Sequence, residues 1–210
     1  MNLIEANTML ETCYKKAIDG IPLVSKPIDD FATEYLTKSS SKSEAAKKLI
    51  KYQIAKCGTS GFVTNLGGLI TLPVAIPANI SSVLYVQLRM VAAIAYMGGY
   101  DVTSDQVQTL AFVCVTGNTA GEILKKSGIN FSEKFAKNFV QKKITGEMLQ
   151  KINKLVGFRF ITKAGEKGVV NLTKCLPVVG GIVGGGFDIA TTKIIANNAY
   201  KLFILNENID

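Results

Sequence analysis

The 210-residue chain contains no histidine and no tryptophan. The absence of histidine excludes Ser-His-Asp triads, Cys-His dyads and the most common zinc ligand. The four cysteines are scattered without a CxxC pair, at Cys13, Cys57, Cys114 and Cys175. Because that spacing fits neither a zinc site nor a disulfide framework, we expect reduced thiols in the core of a cytosolic protein.

Charged residues are scarce, at 19% of the chain, and they are unevenly distributed. Residues 57–88 contain no charged side chain, whereas residues 122–174 contain 12 basic and four acidic ones. The net charge of that basic block, +8, equals that of the whole chain. Such a block is expected beside an anionic surface, either a membrane or a nucleic acid. Because the block contains a single arginine and no recognised nucleic-acid module, the membrane is favoured.

The spacing of apolar residues predicts helices along most of the chain. Capping boxes at Ser41–Glu44 and Thr103–Gln106 predict two helix starts, and Gly20 and Gly98–Gly99 predict two helix ends. No alternating run of strand length occurs. We therefore predict an all-α fold, a compact multi-helix bundle with glycine-rich, apolar central and C-terminal helices.

The uncharged stretch is long enough for a membrane span, which needs about 20 apolar residues. Glycines and prolines interrupt it, so we predict two shorter pieces, residues 62–72 and a helix over 78–97. The sequence leaves open whether this stretch inserts into a bilayer or forms the core. We expect helices over 78–97 and 186–204 to be the two longest buried helices and to pack together through small residues. The small-xxx-small pairs that favour such contacts are formed by Gly180, Gly181, Gly184 and Gly185.

Two parts of the chain contain motifs in a fixed order. Residues 62–103 include LPVAIPA, QLR and GGYD, and residues 174–203 include PVVGGIVGGGFD. From about residue 48 to residue 203, this order resembles the EcsC protein family. The resemblance implies a bacterial, membrane-associated helical protein without an agreed activity, and it places the family's recurrent charged residues on Arg89, Asp101 and Asp188. It also divides the chain into an N-terminal helical extension, 1–45, and an EcsC-like helical domain, 46–210.

Arg89 is the only charge in an apolar helical stripe. A buried guanidinium is costly unless it is paired, so we expect a carboxylate partner. Asp188 is the first choice and Asp101 the second. Two interpretations stay open: a structural ion pair that sets the register of the helices, which we favour, and an anchor for a lipid headgroup or an acidic ligand.

These features predict a non-enzymatic, membrane-associated helical protein on the inner face of the cytoplasmic membrane, with integral insertion left open. It would bind anionic lipid or a membrane-protein partner such as a transporter. No catalytic residue, metal site or cofactor is expected. The alternative is a soluble helical enzyme or regulator, for example a hydrolase-like or toxin/immunity-type protein, whose apolar stretches are its core. The lysines predicted to face the anionic surface are Lys125, Lys126, Lys134, Lys137, Lys142, Lys143, Lys151 and Lys154.

Overall fold

The computed structural model describes residues 2–57, 78–129, 140, 144–165, 184–207 and 209. Eight α-helices pack against one another in these ranges, and no β-strand occurs there, which confirms the predicted all-α bundle. A 3-10 turn, Gly117–Thr119, precedes the sixth helix, and a π-helical turn, Lys201–Leu205, follows the eighth. The helices are α1 (Leu3–Asp19), α2 (Ile28–Thr37), α3 (Lys42–Cys57), α4 (Ala78–Gly98), α5 (Asp105–Cys114), α6 (Ala120–Lys126), α7 (Gly146–Gly165) and α8 (Gly184–Tyr200).

The ends of α1 are set by local chemistry. Asn2 and Glu5 form a capping box, in which each side chain accepts a hydrogen bond from the backbone N–H of the other at 2.9 Å. Gly20 ends the helix with a φ of +80°, and a Cβ there would lie 2.4 Å from the carbonyl oxygen of Ser25. Only glycine tolerates both conditions, so the predicted helix end at Gly20 is confirmed.

Helices begin at both predicted capping boxes, but the hydrogen-bonding residues differ from the predicted ones by one position. Ser41 accepts from the N–H of Glu44 at 3.1 Å, but the Glu44 carboxylate bonds to the N–H of Ser40 instead of Ser41. At the second box the cap is Ser104, and not the threonine before it, because Ser104 Oγ accepts from the N–H of Val107. Both helices therefore begin where the pattern predicts, to within one residue.

Helix α4 is the centre of the bundle and contacts α1, α2, α3, α5 and α8. All of its side chains from residue 83 to residue 95 are buried. Its 21 residues confirm the predicted buried helix, and its contact with α8 confirms the predicted pairing with the C-terminal helix. Among the described helices α7, with 20 residues, exceeds the 17 of α8, although the π-helical turn extends α8 to residue 205.

Small residues bring α4 and the C-terminal segment together at Gly98. A Cβ at Gly98 would lie 2.1 Å from the carbonyl oxygen of Phe203, so the two backbones touch there. The predicted glycine contacts are different ones. Gly180 and Gly181 lie outside the described residues, and Gly184 and Gly185 are described only as the start of α8.

One core includes both ends of the chain. Met9 and Leu10 of the predicted N-terminal extension share it with residues of α4, α5 and α8. Cys13 and Cys114 are buried thiols outside any disulfide, as predicted, whereas the side chains of the other two cysteines lie outside the described part. Within the ranges given above, none of the helices combines the length and the apolarity needed to cross a membrane. The predicted piece over 62–72 is also outside those ranges.

Candidate functional site

Helix α4 places Arg89 beneath the connection between α1 and α2. The side chain is 7% exposed, and its guanidinium donates to the carbonyl oxygens of Ala17 at 2.8 Å and Lys26 at 2.5 Å. It also lies over the ring of Phe31, 4.6 Å from the centroid. Ala17 belongs to the last turn of α1, whose carbonyls have no partner within the helix and carry the negative end of its dipole. Arg89 therefore donates to a carbonyl at the C-terminal end of α1 and contacts α2 through the ring of Phe31.

The described partners of Arg89 are backbone carbonyls and an aromatic ring, and none of them is the carboxylate that we expected. Asp101, the second choice, makes its hydrogen bonds elsewhere. Its exposed side chain accepts from the hydroxyl and the backbone N–H of Thr103 at 2.6 and 2.9 Å. These hydrogen bonds lower the pKa of Asp101. The ion pairs between described side chains do not include Arg89. The side chain of Asp188 lies outside the described residues, so its pairing with Arg89 stays a prediction.

A cavity of about 480 Å³ opens beside Arg89, between α2, α3 and α4. Gln53 lines it and is 6% exposed, and its Oε1 atom accepts no hydrogen bond from any described group. Tyr85, which also lines the cavity, is hydrogen bonded to Ser25, with 2.6 Å between the two hydroxyl oxygens. Burial raises the pKa of Tyr35 on the opposite wall. Sequence reasoning found Arg89 but none of these neighbours.

The mouth of the cavity is formed by exposed groups. Lys26 and Glu34 form an ion pair there, and their hydrogen bond lowers the pKa of Glu34 and raises that of Lys26. Val24, in the turn between α1 and α2, also lines the cavity. Leu23, at the tip of the turn, is fully exposed and adopts a left-handed backbone conformation with a φ of +65°.

A second concavity, the α3–α8 groove, has a volume of about 780 Å³. Its apolar floor is formed by three half-buried isoleucines, Ile50, Ile54 and Ile194. No Asp or Glu occurs among the described residues that line it. The groove therefore combines concentrated positive charge with exposed apolar surface. Its lysines are Lys47, Lys51, Lys193 and Lys201.

Hydrogen bonds fix the two walls of this groove. Tyr200 of α8 bonds to Ser43 of α3, with 2.6 Å between the two oxygens, and Lys47 lies over the Tyr200 ring, 5.8 Å from its centroid. Asn198 donates to the carbonyl oxygen of Gly117 at 3.0 Å, which ties α8 to the 3-10 turn. The arrangement is therefore a formed groove between anchored helices.

The lysine surface predicted from the sequence is described in part. Lys125, Lys126, Lys151 and Lys154 are exposed on α6 and α7, two helices in contact. Lys126 is paired with Glu122 at 2.6 Å, which reduces the free positive charge of that surface. The remaining predicted lysines, Lys134, Lys137, Lys142 and Lys143, lie outside the described residues.

Comparison with protein-family models, with curated proteins and with solved structures finds no match to this chain. The resemblance to the EcsC family therefore stays a prediction. The features of the described structure that bear on function are the cavity beside Arg89, the α3–α8 groove and the distribution of charge.

Proposed function

We propose that the protein is a non-enzymatic, peripheral membrane protein that binds anionic lipid in the α3–α8 groove. The observation that carries this proposal is the set of four lysines around a floor of isoleucines, with no described carboxylate among the lining residues. An anionic lipid has the complementary pattern, a negative headgroup on an apolar chain. The resemblance to the EcsC family implies the same membrane association.

The magnitudes support reversible attachment. A lysine close to an anionic leaflet contributes about 1 kcal/mol, so four contribute about 4 kcal/mol, which corresponds to a Kd near 1 mM. Burial of an isoleucine side chain adds about 1.5–3 kcal/mol when it is complete. Because Ile50, Ile54 and Ile194 are already half-buried, a fraction of that gain is available from each. Together the two contributions place the affinity in the micromolar range.

Flotation with vesicles of phosphatidylglycerol and phosphatidylcholine tests the proposal. We expect the protein to float with the anionic vesicles at low salt, and to be released as salt screens the lysines. In the groove variant, Lys51→Glu with Lys193→Glu, two charges are reversed, which should weaken attachment at least a hundredfold.

The matched control makes the same charge change elsewhere, at Lys125→Glu with Lys151→Glu on α6 and α7. If only the groove variant is released, the groove is the site. If only the control is released, the surface predicted from the sequence is the site and the groove is not. If the intact protein ignores anionic vesicles at low salt, the membrane proposal fails, and the soluble helical enzyme or regulator takes its place.

A further inference from the structure

We infer that the cavity beside Arg89 is a binding site for a small organic anion, one that carries a carboxylate or phosphate monoester and a separate hydroxyl or N–H donor. The cavity lies on α2, α3 and α4 and has no described lysine, tyrosine or isoleucine in common with the α3–α8 groove. The inference goes beyond membrane attachment and does not depend on it.

Arg89 is the residue that would bind the anionic group of the ligand. Its described partners are two backbone carbonyls and an aromatic ring, none of which carries a negative charge. The two hydrogen bonds account for two of the five N–H donors of a guanidinium. The planar fork of the group matches a carboxylate or a phosphate in two parallel hydrogen bonds. Among the described residues, only neutral groups hold this buried guanidinium, which is therefore preorganised for an anion.

Gln53 is the residue that would accept a hydrogen bond from the second polar group of the ligand. Buried polar atoms in folded proteins are almost always hydrogen bonded, yet Gln53 Oε1 has no partner among the described groups. Gln53 lines the same cavity and is more than nine-tenths buried. The atom lies just beneath the cavity wall, so a bound molecule that presents an O–H or N–H satisfies it once the amide turns towards the cavity.

The walls set the size and character of the ligand. A volume of about 480 Å³ lies within the range of small-molecule pockets, about 300–1,000 Å³. Phe31 and Val86 supply apolar surface to the cavity, while the hydroxyls of Tyr35 and Tyr85 add hydrogen-bonding groups. The geometry fits a short hydroxy acid or a phosphorylated polyol.

Tyrosine fluorescence provides the assay, because the chain has seven tyrosines and no tryptophan, and three of the tyrosines line the cavity. The probes are 3-hydroxybutanoate and sn-glycerol 3-phosphate, and the matched probe without a hydroxyl is butanoate. We expect saturable binding of both hydroxylated probes, with Kd values at or below about 1 mM, and weaker binding of butanoate. If neither hydroxylated probe gives saturable binding, the inference is overturned.

Two variants test the assigned roles. Gln53→Leu should weaken both hydroxylated probes about fivefold and leave butanoate unchanged, because only the former lose a hydrogen bond. Far-UV circular dichroism checks that the variant folds. Arg89→Lys keeps the charge without the fork and should weaken all three probes about tenfold. Equal weakening of butanoate by Gln53→Leu would contradict the role of Gln53.

The phosphate monoester has two sources, a free metabolite or a lipid headgroup, and competition separates them. If sn-glycerol 3-phosphate displaces the protein from phosphatidylglycerol vesicles and Gln53→Leu weakens vesicle binding, the cavity takes the headgroup. If the soluble probe binds without either effect, the cavity takes a free metabolite. The groove variant should leave the affinity for both soluble probes unchanged, so failure of the lipid proposal and failure of the cavity are distinguishable.

Discussion

Replacement of Arg89 by methionine should destabilise the protein by removing the link between three helices. Methionine fills similar space without the charge, so the change leaves the carbonyls of Ala17 and Lys26 without their donor. It also removes the contact with the Phe31 ring. We expect the free energy of unfolding to fall by about 2–3 kcal/mol, a large part of the stability of a typical domain.

The magnitude follows from opposing contributions. Two hydrogen bonds from a charged donor are worth about 1.5–3 kcal/mol each, and the cation–π contact about 1–2 kcal/mol when desolvated. Against these, the variant no longer has to take a guanidinium out of water, which returns several kcal/mol. Since Arg89 is only 7% exposed, solvent screens these contacts weakly and the loss exceeds the gain. The free energy of unfolding of Arg89→Lys should lie between those of the starting protein and Arg89→Met. A single ammonium group cannot reach both carbonyls and also stack on the Phe31 ring.

Urea unfolding followed by circular dichroism measures the effect as a shift of the midpoint at constant slope. Lys151→Met, on the exposed face of α7, is the control and should stay within about 0.5 kcal/mol of the starting protein. An Arg89→Met protein as stable as that control would show that the guanidinium does not hold the helices together.

The pairing of Arg89 with Asp188 is tested in the same series. If Asp188 is a buried partner, Asp188→Ala should cost about 3–5 kcal/mol, because the guanidinium is left without its counter-ion. The double variant should then cost less than the two single changes together. Additive costs would contradict the pairing and leave the backbone carbonyls as the partners that stabilise Arg89.

Three further predictions concern stability, pH and thiol reactivity. Gly98→Ala should cost about 1–3 kcal/mol by urea unfolding, because the new Cβ would lie 2.1 Å from a backbone oxygen of the π-helical turn, whereas Gly146→Ala meets nothing within 4 Å and should be tolerated. Hydrogen bonds from a lysine and a serine lower the pKa of Glu44 to about 2. The contribution of the Glu44 carboxylate to stability is therefore complete above the ordinary pKa of 4.5 and is lost as pH falls towards 2. The difference in Tm between the protein and Glu44→Gln should shrink over that range. Burial raises the pKa of Cys13 to about 12 and raises that of Cys114, so in a variant with the other two cysteines changed to serine we expect thiol reagents to react only after unfolding, and prompt reaction of the native protein would show that these thiols are accessible.

The helices could be predicted because their signals are local. Apolar spacing within a dozen residues, a serine before a glutamate and a glycine after a helical stripe are all readable along the chain. Gly20 and Gly98 mark helix ends in the sequence and in the structure. The same two glycines also permit close backbone contacts, with Ser25 and Phe203, and no local pattern reports those.

The partners of Arg89 could not be predicted because they are distant and chemically ordinary. The guanidinium bonds to residues 72 and 63 positions away. A carboxylate is visible in a sequence as Asp or Glu, whereas every residue has a backbone carbonyl, so a free carbonyl at a helix end leaves no distinct letter. The indirect signal was the helix stop at Gly20, which leaves unpaired carbonyls nearby. The α3–α8 groove is similar: Lys47 and Lys51 are visibly one turn apart, but only the fold places Lys193 opposite them.

The turn that Arg89 holds contains an unusual leucine, and its strain can be measured. Leu23 has a φ of +65°, a conformation that costs a residue with a side chain about 1–2 kcal/mol and costs glycine nothing. Its side chain is fully exposed, so truncation removes no packing. Leu23→Ala keeps the strain and Leu23→Gly relieves it, so the glycine variant should be more stable than the alanine variant by about 1 kcal/mol. This order is the reverse of the one found in helices and strands, where glycine is worse than alanine by about 0.5–1 kcal/mol. If the alanine variant is the more stable in urea, Leu23 does not hold the left-handed conformation in solution, and the turn that supplies the Lys26 carbonyl to Arg89 has a different shape.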